Sequence, residues 1–199
     1  MPGNSTGGNT GFTPRRRGGR RRDDESDEDT RPKKPLDGEH AREVCLRLLS
    51  LRPRTHAELA EALTKREFGE DVITEVLDRY TEVGMIDDAA FANAWVTSRH
   101  RGKGLARRAL GEELRRKGVD KELATLALEQ LDDETERAAA RELVARKLRG
   151  MSAAVAPDAK LRRLVGMLAR KGYPPGVAMS VVREMLADEA AEMELEPEE

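Results

Sequence analysis

The chain is 199 residues long, and its composition of 37% charged, 38% apolar and 3% aromatic residues favours exposed amphipathic helices over one thick core. It has no apolar run long enough to cross a bilayer, so we expect no membrane-spanning helix and no membrane partner. The N-terminus has no apolar segment behind its basic residues and does not resemble a secretory signal. The one cysteine, Cys45, lies in an apolar helical pattern, so we expect a buried, inert thiol and a reducing, cytoplasmic setting.

The formal net charge of −2 hides strong segregation along the chain. A basic block at 15–22 is followed at once by an acidic block at 23–29, and residues 189–199 form an acidic tail. Residues 1–37 have almost no large apolar side chains, so we predict a disordered, charged N-terminal extension. Its arginines could touch phosphates, or the two blocks could partly cancel each other in a solubilising tail.

The first predicted module is a three-helix repeat at 38–86, and it begins with an apolar stripe at helical spacing that Pro53 ends. The tetrapeptide Thr55-His56-Ala57-Glu58 has the pattern of a capping box, which predicts the start of a second helix. A third helix follows and ends at Gly84, because glycine readily ends helices.

The second predicted module is a three-helix repeat at 87–132. The carboxylates of Asp87-Asp88 suit a helix N-terminus, and Asp120 is placed to cap the last helix. Phe91 and Trp95 are four residues apart and share one face of the first helix. We interpret this pair as core anchors rather than as a platform for stacking bases.

The third predicted module, at 133–188, has a long charged helix, a loop at 152–157 and a middle helix that ends at Gly172. Pro174-Pro175 suits the first turn of a final helix, which we expect to fray into the acidic tail. No segment shows sustained strand alternation. We therefore predict an all-α fold of three tandem three-helix modules in an elongated helical-repeat array, in which each small core depends on its neighbour.

One pattern occurs once in each module: a leucine, three residues, a leucine, two residues, a basic residue, one residue, and an aromatic residue or valine. The copies are Leu59, Leu63, Arg66 and Phe68; Leu110, Leu114, Lys117 and Val119; and Leu164, Leu168, Lys171 and Tyr173. Internal repetition at roughly 50 residues indicates stacked helical units. Arrays of this kind usually present surfaces to macromolecules.

The sequence contains no group of residues that forms a candidate catalytic site. The three histidines have no Cys or His partner at metal-ligand spacing. Gly102-Lys103-Gly104 is too short for a phosphate-binding loop and has no strand before it. We therefore predict that the protein is not an enzyme, with no catalytic residue, no cofactor and no metal.

The candidate binding site is a basic stretch in the second module, at 99–117. Its eight cations outnumber its two acids, Glu112 and Glu113, so the stretch carries a formal charge of 8 − 2 = +6. The cations are Arg99, Arg101, Lys103, Arg107, Arg108, Arg115, Arg116 and Lys117. Such a surface would attract phosphates or an acidic protein patch, although a solvated helix face is the alternative. A weaker version recurs in the third module, at Lys160, Arg162, Arg163, Arg170 and Lys171.

A long spaced pattern across the second module resembles the signature of the RecX regulatory proteins. It comprises Met85-Ile86-Asp87-Asp88, Phe91-Ala92, Trp95, Arg99, Gly102-Lys103-Gly104, Leu110, Glu113-Leu114 and Lys117-Gly118-Val119. The segment from Ala57 to Gly84 and the third copy of the repeat, at 168–173, also match. The resemblance covers roughly residues 40–188, and the N-terminal extension and acidic tail have no counterpart in it.

The resemblance implies three modules in a curved, elongated array and a partner, the RecA recombinase with its filament on single-stranded DNA. Family members inhibit the ATPase, strand-exchange and coprotease activities of RecA, and so modulate recombination, DNA repair and the SOS response. They are described as lodging in the helical groove of the filament. The resemblance leaves direct DNA contact open, and we expect a monomer. An elongated module can contact several protomers at once, so weak contacts would sum.

Two other functions remain open at this point. The basic stretch could belong to a DNA-binding module that acts independently of RecA, whose affinity would fall steeply with salt. The chain could also be a passive helical scaffold that bridges other proteins. The sequence does not decide whether protein or DNA contacts dominate binding, nor what the charged termini do.

Overall fold

The computed structural model describes residues 37–152 and 154–195, with side chains to residue 191. Within these residues it contains nine helices and no strand, which confirms the all-α prediction. The predicted disordered extension, apart from Asp37, and the end of the acidic tail lie outside the described residues. Asp37 itself caps the first helix by accepting a hydrogen bond from the amide of His40 at 2.9 Å.

The helices form three consecutive modules, each with its own apolar core. The first module contains α1 (Gly38–Leu51), α2 (His56–Thr64) and α3 (Glu70–Glu82). The second contains α4 (Asp88–Lys103), α5 (Arg107–Arg116) and α6 (Lys121–Leu128). The third contains α7 (Asp133–Leu148), α8 (Pro157–Arg170) and α9 (Pro175–Leu195). Because each core is small, contacts between modules add to the stability of the whole.

The predicted helix starts are confirmed by their caps. The hydroxyl of Thr55 accepts from the amide of Glu58 at 3.1 Å, and the Glu58 carboxylate accepts from the amide of Thr55 at 3.4 Å, which completes the capping box of α2. Asp87 caps α4 and Asp120 caps α6 through their carboxylates. Short polar side chains at these positions satisfy amides that have no partner inside the helix.

The repeated leucine pattern forms the three cores. All six of its leucines have no exposed surface, and the aromatic or valine position is buried in each copy. The basic position lies in the turn between the middle and third helices of each module. We call this segment the docking turn, and it comprises residues 66–68, 117–119 and 171–173. In each copy the last amide of the turn donates to the carbonyl of the second leucine, which closes the helix in a Schellman-like bond.

The docking turn joins each later module to the one before it. The Lys117 carbonyl accepts from the Thr55 hydroxyl at 2.6 Å, and the Lys171 carbonyl accepts from the Ala106 amide at 2.9 Å. Both acceptors therefore lie at the N-cap residue of the preceding module's middle helix. The residue at the centre of each docking turn has positive φ: 64° at Glu67, 72° at Gly118 and 91° at Gly172.

The two glycines are needed for close approach as well as for positive φ. A Cβ at Gly172 would lie 2.6 Å from the Ala109 amide nitrogen, and a Cβ at Gly118 would overlap the Cβ of Ala57. The docking turn of the first module carries Glu67 instead of glycine. The repeat therefore builds the joints between modules as well as the cores.

The third module differs from its sequence prediction at two helix ends. Pro157, which the sequence predicts to lie in a loop, is instead the first residue of α8, where its missing amide hydrogen has no cost. The last helix continues past residue 188 to Leu195. Buried Lys160 donates to both carboxylate oxygens of Glu189, at 3.0 and 2.9 Å, and this pair holds the extension of α9 against α8.

Candidate functional site

The basic stretch at 99–117 spans the end of α4, the turn after it and all of α5. Gly104 ends α4 with φ of 60°, and α5 buries Leu110 and Leu114 against the module core. The other positions of α5 carry four of the eight cations. The structure separates the eight predicted cations into a group that holds the fold together and a group that faces solvent.

Arg99 belongs to the group that holds the fold together. Its Nε donates to the Glu113 carboxylate at 2.8 Å, and its guanidinium makes a second bond to the same carboxylate. The indole of Trp95 also donates to Glu113, at 2.9 Å. The hydrogen bond from Arg99 lowers the pKa of Glu113, and burial only partly opposes this effect. This network ties α4 to α5.

Lys117 is also used inside the protein. Its Nζ lies 2.8 Å from the Glu58 carboxylate of the first module and 4.3 Å from the centre of the Trp95 ring. Burial raises the pKa of Glu58, but hydrogen bonds from Lys117 and Arg52 outweigh that effect and lower it. Only 17% of the Lys117 side chain is exposed, so this cation stabilises the joint between the first two modules.

The aromatic pair of α4 has the predicted structural role. Phe91 is buried, and Trp95 packs against the same core with its ring 5.6 Å from that of Phe91. The guanidinium of Arg99 lies 5.1 Å from the centre of the Trp95 ring. Because Arg99 and Lys117 both cover this indole, Trp95 is an internal anchor and not a free platform for bases.

Arg107 links the second and third modules. Its amide donates to the Glu136 carboxylate at 2.6 Å, its Nε donates to the same group at 3.0 Å, and its guanidinium also pairs with Asp133. Ala106, the N-cap residue of α5, has no side chain that could cap the helix. Buried Glu136 of α7 therefore acts as the cap of α5 from the neighbouring module.

The remaining five predicted cations are exposed: Arg101, Lys103, Arg108, Arg115 and Arg116. Arg115 pairs with Glu112 at 3.0 Å on the surface of the same helix, a contact of little energetic weight. The other four side chains make no hydrogen bond or ion pair with any residue that the structure describes. These cations are therefore available to a partner.

Two grooves flank α5, and Arg108 and Glu112 line both of them. The α5/α8 groove, of about 460 Å³, lies between the second and third modules and also receives Arg116 and Arg170. The α5/α6 groove, of about 580 Å³, has an apolar floor that includes Val119 and Leu128, and Lys121 on its rim. Sequence reasoning did not include Arg170 or Lys121 in the site, because their proximity to α5 depends on how the helices pack.

The cations of the weaker basic pattern in the third module also divide into paired side chains and exposed side chains. Lys160 is paired with Glu189, and the Lys171 ammonium donates to the Lys103 carbonyl. Burial and the neighbouring cations lower the pKa of Lys171. Arg162 and Arg163 are exposed on α8, away from both grooves.

The described part of the chain has neither a metal-binding cluster nor a membrane-spanning helix. Residues 37–152 and 154–195 contain no group of three or more His, Cys, Asp or Glu side chains that could hold a metal ion. Among the same residues, no helix is both long and apolar enough to cross a membrane. Cys45 is fully buried, as predicted, and burial raises its pKa to about 11, which disfavours the reactive thiolate.

Comparison with known structures shows the same fold in other proteins. A crystal structure of RecX from Lactobacillus salivarius superposes with a TM-score of 0.65 over 75% of this chain and 96% of that chain, at 21% identity. A second crystal structure, of a regulatory protein RecX, superposes with a TM-score of 0.62 over 75% of this chain and 71% of that chain, also at 21% identity. At this identity the likeness concerns the fold alone.

Family models and sequence relatives give a closer match. Models of the first, second and third three-helix domains of RecX match residues 41–79, 87–128 and 134–182. The regulatory protein RecX of Streptomyces coelicolor is 56% identical over 82% of this chain and 85% of its own length. The regulatory protein RecX of Thermobifida fusca is 51% identical over 80% of this chain and 86% of its own length. These relatives are named as regulators, and this chain folds as a helical repeat like the RecX crystal structures, so a regulatory role is supported and no catalytic activity is indicated. The chain belongs to the RecX family of regulatory proteins.

Proposed function

We propose that this protein binds the RecA recombinase and its filament on single-stranded DNA and inhibits RecA's ATPase, strand-exchange and coprotease activities. It would act as a cytoplasmic monomer and would thereby modulate recombination, DNA repair and the SOS response. Membership of the RecX family supports a regulatory role. The identity of the partner rests on the resemblance of the sequence to that family.

The observation that carries the proposal is that Arg108 and Arg116 on α5 are exposed and make no hydrogen bond or ion pair within the described residues. The helix that presents them is held at both ends. Glu136 of the third module caps its N-terminus, and the residue after its C-terminus, Lys117, pairs with Glu58 of the first module. A partner would therefore meet these arginines on a backbone already in place, so little chain entropy would be lost on binding.

The proposed contact surface contains fewer cations than the eight that the sequence predicts. Arg99, Arg107 and Lys117 stabilise the fold, and we propose that the five exposed cations of the stretch, Arg101, Lys103, Arg108, Arg115 and Arg116, face the filament. Arginine suits this role because its planar guanidinium can bind a phosphate or a carboxylate through two hydrogen bonds. In this mechanism the protein binds and catalyses no reaction. Several weak contacts to successive RecA protomers would sum to a useful affinity and hinder the movements of the filament.

The test is the ATPase activity of RecA on single-stranded DNA, titrated with the full-length protein. Inhibition should appear with the wild type and should be strongly weakened by Arg108→Glu combined with Arg116→Glu. The matched control reverses Arg162 and Arg163, which are exposed on α8, and should inhibit like the wild type. Circular dichroism would establish that all variants are folded.

The outcomes separate the function from the site. Absence of inhibition by excess wild-type protein would overturn the proposed function. If the same protein still bound DNA, the RecA-independent DNA-binding module would be the better explanation. Full inhibition by a folded Arg108→Glu/Arg116→Glu variant would leave the function standing and remove these two arginines from the site.

A further inference from the structure

The α5/α8 groove brings together three arginines from two different modules. Arg108 and Arg116 come from α5 of the second module, and Arg170 is the last residue of α8 in the third. All three are exposed, and none of them makes a hydrogen bond or ion pair with a residue that the structure describes. Unpaired like charges around one groove repel each other, so they destabilise the protein slightly unless an anion binds there.

The walls of this groove are fixed by the joint between the modules. The Ala106 amide donates to the Lys171 carbonyl at 2.9 Å, and Gly172 lies so close to Ala109 that a Cβ would come within 2.6 Å of its amide nitrogen. Arg108 and Arg170 are the immediate neighbours of these contacts along the chain. Their backbones are therefore held at a set separation, and only the side chains need to move to reach a ligand.

Two carboxylates, those of Glu112 and Glu113, also line the groove, and both are already bound. Glu113 accepts from Arg99 and Trp95, and Glu112 accepts from Arg115 at 3.0 Å. The side-chain hydrogen bonds from Arg99 and Arg115 lower the pKa of Glu113 and Glu112, respectively, so both stay ionised and paired at neutral pH. Arg108 and Arg116 act on Glu112 only through the electric field of their charges, and within the described residues no carboxylate forms a hydrogen bond or ion pair with Arg108, Arg116 or Arg170.

We propose that the α5/α8 groove is a binding site for the phosphodiester backbone of DNA, with Arg108, Arg116 and Arg170 as the phosphate ligands. The inference rests on the proposed function and names the DNA component of the filament as the ligand of this groove. It gives Arg170 a role that the repeat pattern alone did not assign. It also makes the DNA site a property of two modules, because neither module supplies all three arginines.

Phosphate is favoured over an acidic protein segment by the lining of the groove. Apart from Leu105, the apolar contribution comes from small side chains such as Ala109 and Ala169. A docking peptide needs a pocket for an apolar anchor, and the floor formed by Val119 and Leu128 provides one in the α5/α6 groove instead. A phosphodiester needs only donors at the groove rim, and guanidinium groups bind its oxygens in pairs.

The experiment measures binding of the full-length protein to a labelled oligothymidine by fluorescence anisotropy, without RecA, over a range of salt concentrations. Each phosphate contact on a single strand contributes about 0.7 to the slope of log affinity against log salt. Loss of two contacts in Arg116→Ala/Arg170→Ala should therefore reduce the slope by about 1.4. The matched control, Lys121→Ala/Arg163→Ala, removes two exposed cations outside the groove and should keep the wild-type slope.

A duplex of the same length is the second probe. A reduced slope on both probes, or on the single strand alone, supports the site, whereas an unchanged slope in the folded Arg116→Ala/Arg170→Ala variant overturns it. An equal loss in the control variant also overturns it, because general positive charge would then explain binding. If the wild type inhibits RecA but binds no oligonucleotide, this inference fails and the proposed function stands. If the wild type binds the oligonucleotide with the expected slope but leaves RecA unaffected, the DNA site stands and the proposed function fails.

Discussion

The hydroxyl of Thr55 donates to the carbonyl of Lys117 at 2.6 Å while it accepts from the amide of Glu58 at 3.1 Å. One buried side chain therefore starts α2 and joins the first module to the docking turn of the second. The equivalent joint between the second and third modules uses a backbone donor, the amide of Ala106. The docking turns of the second and third modules thus accept from two different kinds of donor, a side-chain hydroxyl in the first joint and a backbone amide in the second.

Replacing Thr55 with valine should destabilise the protein by about 2 kcal/mol, because the helix cap is lost and the Lys117 carbonyl loses its partner. Valine keeps the shape of threonine, so packing changes little. The measurement is the urea midpoint of unfolding. Thr55→Ser keeps the hydroxyl and should lose much less, and equal losses in both variants would show that the methyl group, and not the hydrogen bonds, stabilises the joint.

Gly118 and Gly84 offer a matched test of the close approach between modules, since both have φ of 72°. A Cβ at Gly84 would have no atom within 4 Å, whereas a Cβ at Gly118 would overlap Ala57. Gly84→Ala should cost about 1–2 kcal/mol through backbone strain alone. Gly118→Ala should cost at least about 1 kcal/mol more, because the two modules must also move apart.

Thermal unfolding of the two glycine variants would measure this difference. Equal losses of stability would mean that the joint tolerates the extra methyl group and that the docking turn is not closely packed. A second variant, Ala57→Gly in the Gly118→Ala background, should recover part of the lost stability, although glycine within α2 has its own cost of about 1 kcal/mol.

Much of the fold follows from local patterns that the sequence displays directly. The leucine stripes, the capping box at Thr55 and the caps at Asp87 and Asp120 depend on residues within one helix and its ends. Such features are set by helical periodicity and by the unsatisfied amides of the first turn. The glycines of the docking turns are visible as helix stops, but the sequence does not show that they also meet a neighbouring module.

The allocation of charges in the basic stretch depends on long-range packing instead. Arg107 and Arg108 are adjacent and chemically identical, yet only Arg107 meets the buried carboxylate of Glu136, 29 residues further along the chain. The missing side-chain cap at Ala106 is a local sign that α5 needs an outside partner. Nothing local identifies Glu136 as that partner, because the angle between modules decides which carboxylate reaches the helix.

The Glu113 network should make stability depend on pH. Its hydrogen bonds lower the pKa of Glu113 from 4.5, so the stability it adds is fully present above pH 4.5 and is lost as the pH falls through the lower folded value. Glu113→Gln should therefore be less stable than the wild type at neutral pH, by about 1 kcal/mol, and the difference should shrink at pH about 3. Urea midpoints at the two pH values give the result, and a constant difference would show that ionisation of Glu113 contributes nothing.

Substitutions of the adjacent residues Arg107 and Arg108 should distinguish a cation that stabilises the fold from a cation that binds a partner. Arg107→Ala should destabilise the protein by about 1–3 kcal/mol, because the buried carboxyl group of Glu136 loses its guanidinium partner. Arg108→Ala should change stability by less than about 0.5 kcal/mol, since its side chain is exposed and has no partner within the described residues.

In binding assays the order of the two effects should be the opposite, at a temperature where both variants are folded. Arg108→Ala should weaken RecA inhibition and flatten the salt dependence of DNA binding. Arg107→Ala should leave both the inhibition and the salt dependence close to those of the wild type. If instead Arg107→Ala impaired binding at unchanged stability, its contacts with Glu136 and Asp133 would not be its main role, and α5 would present a different set of cations to the filament.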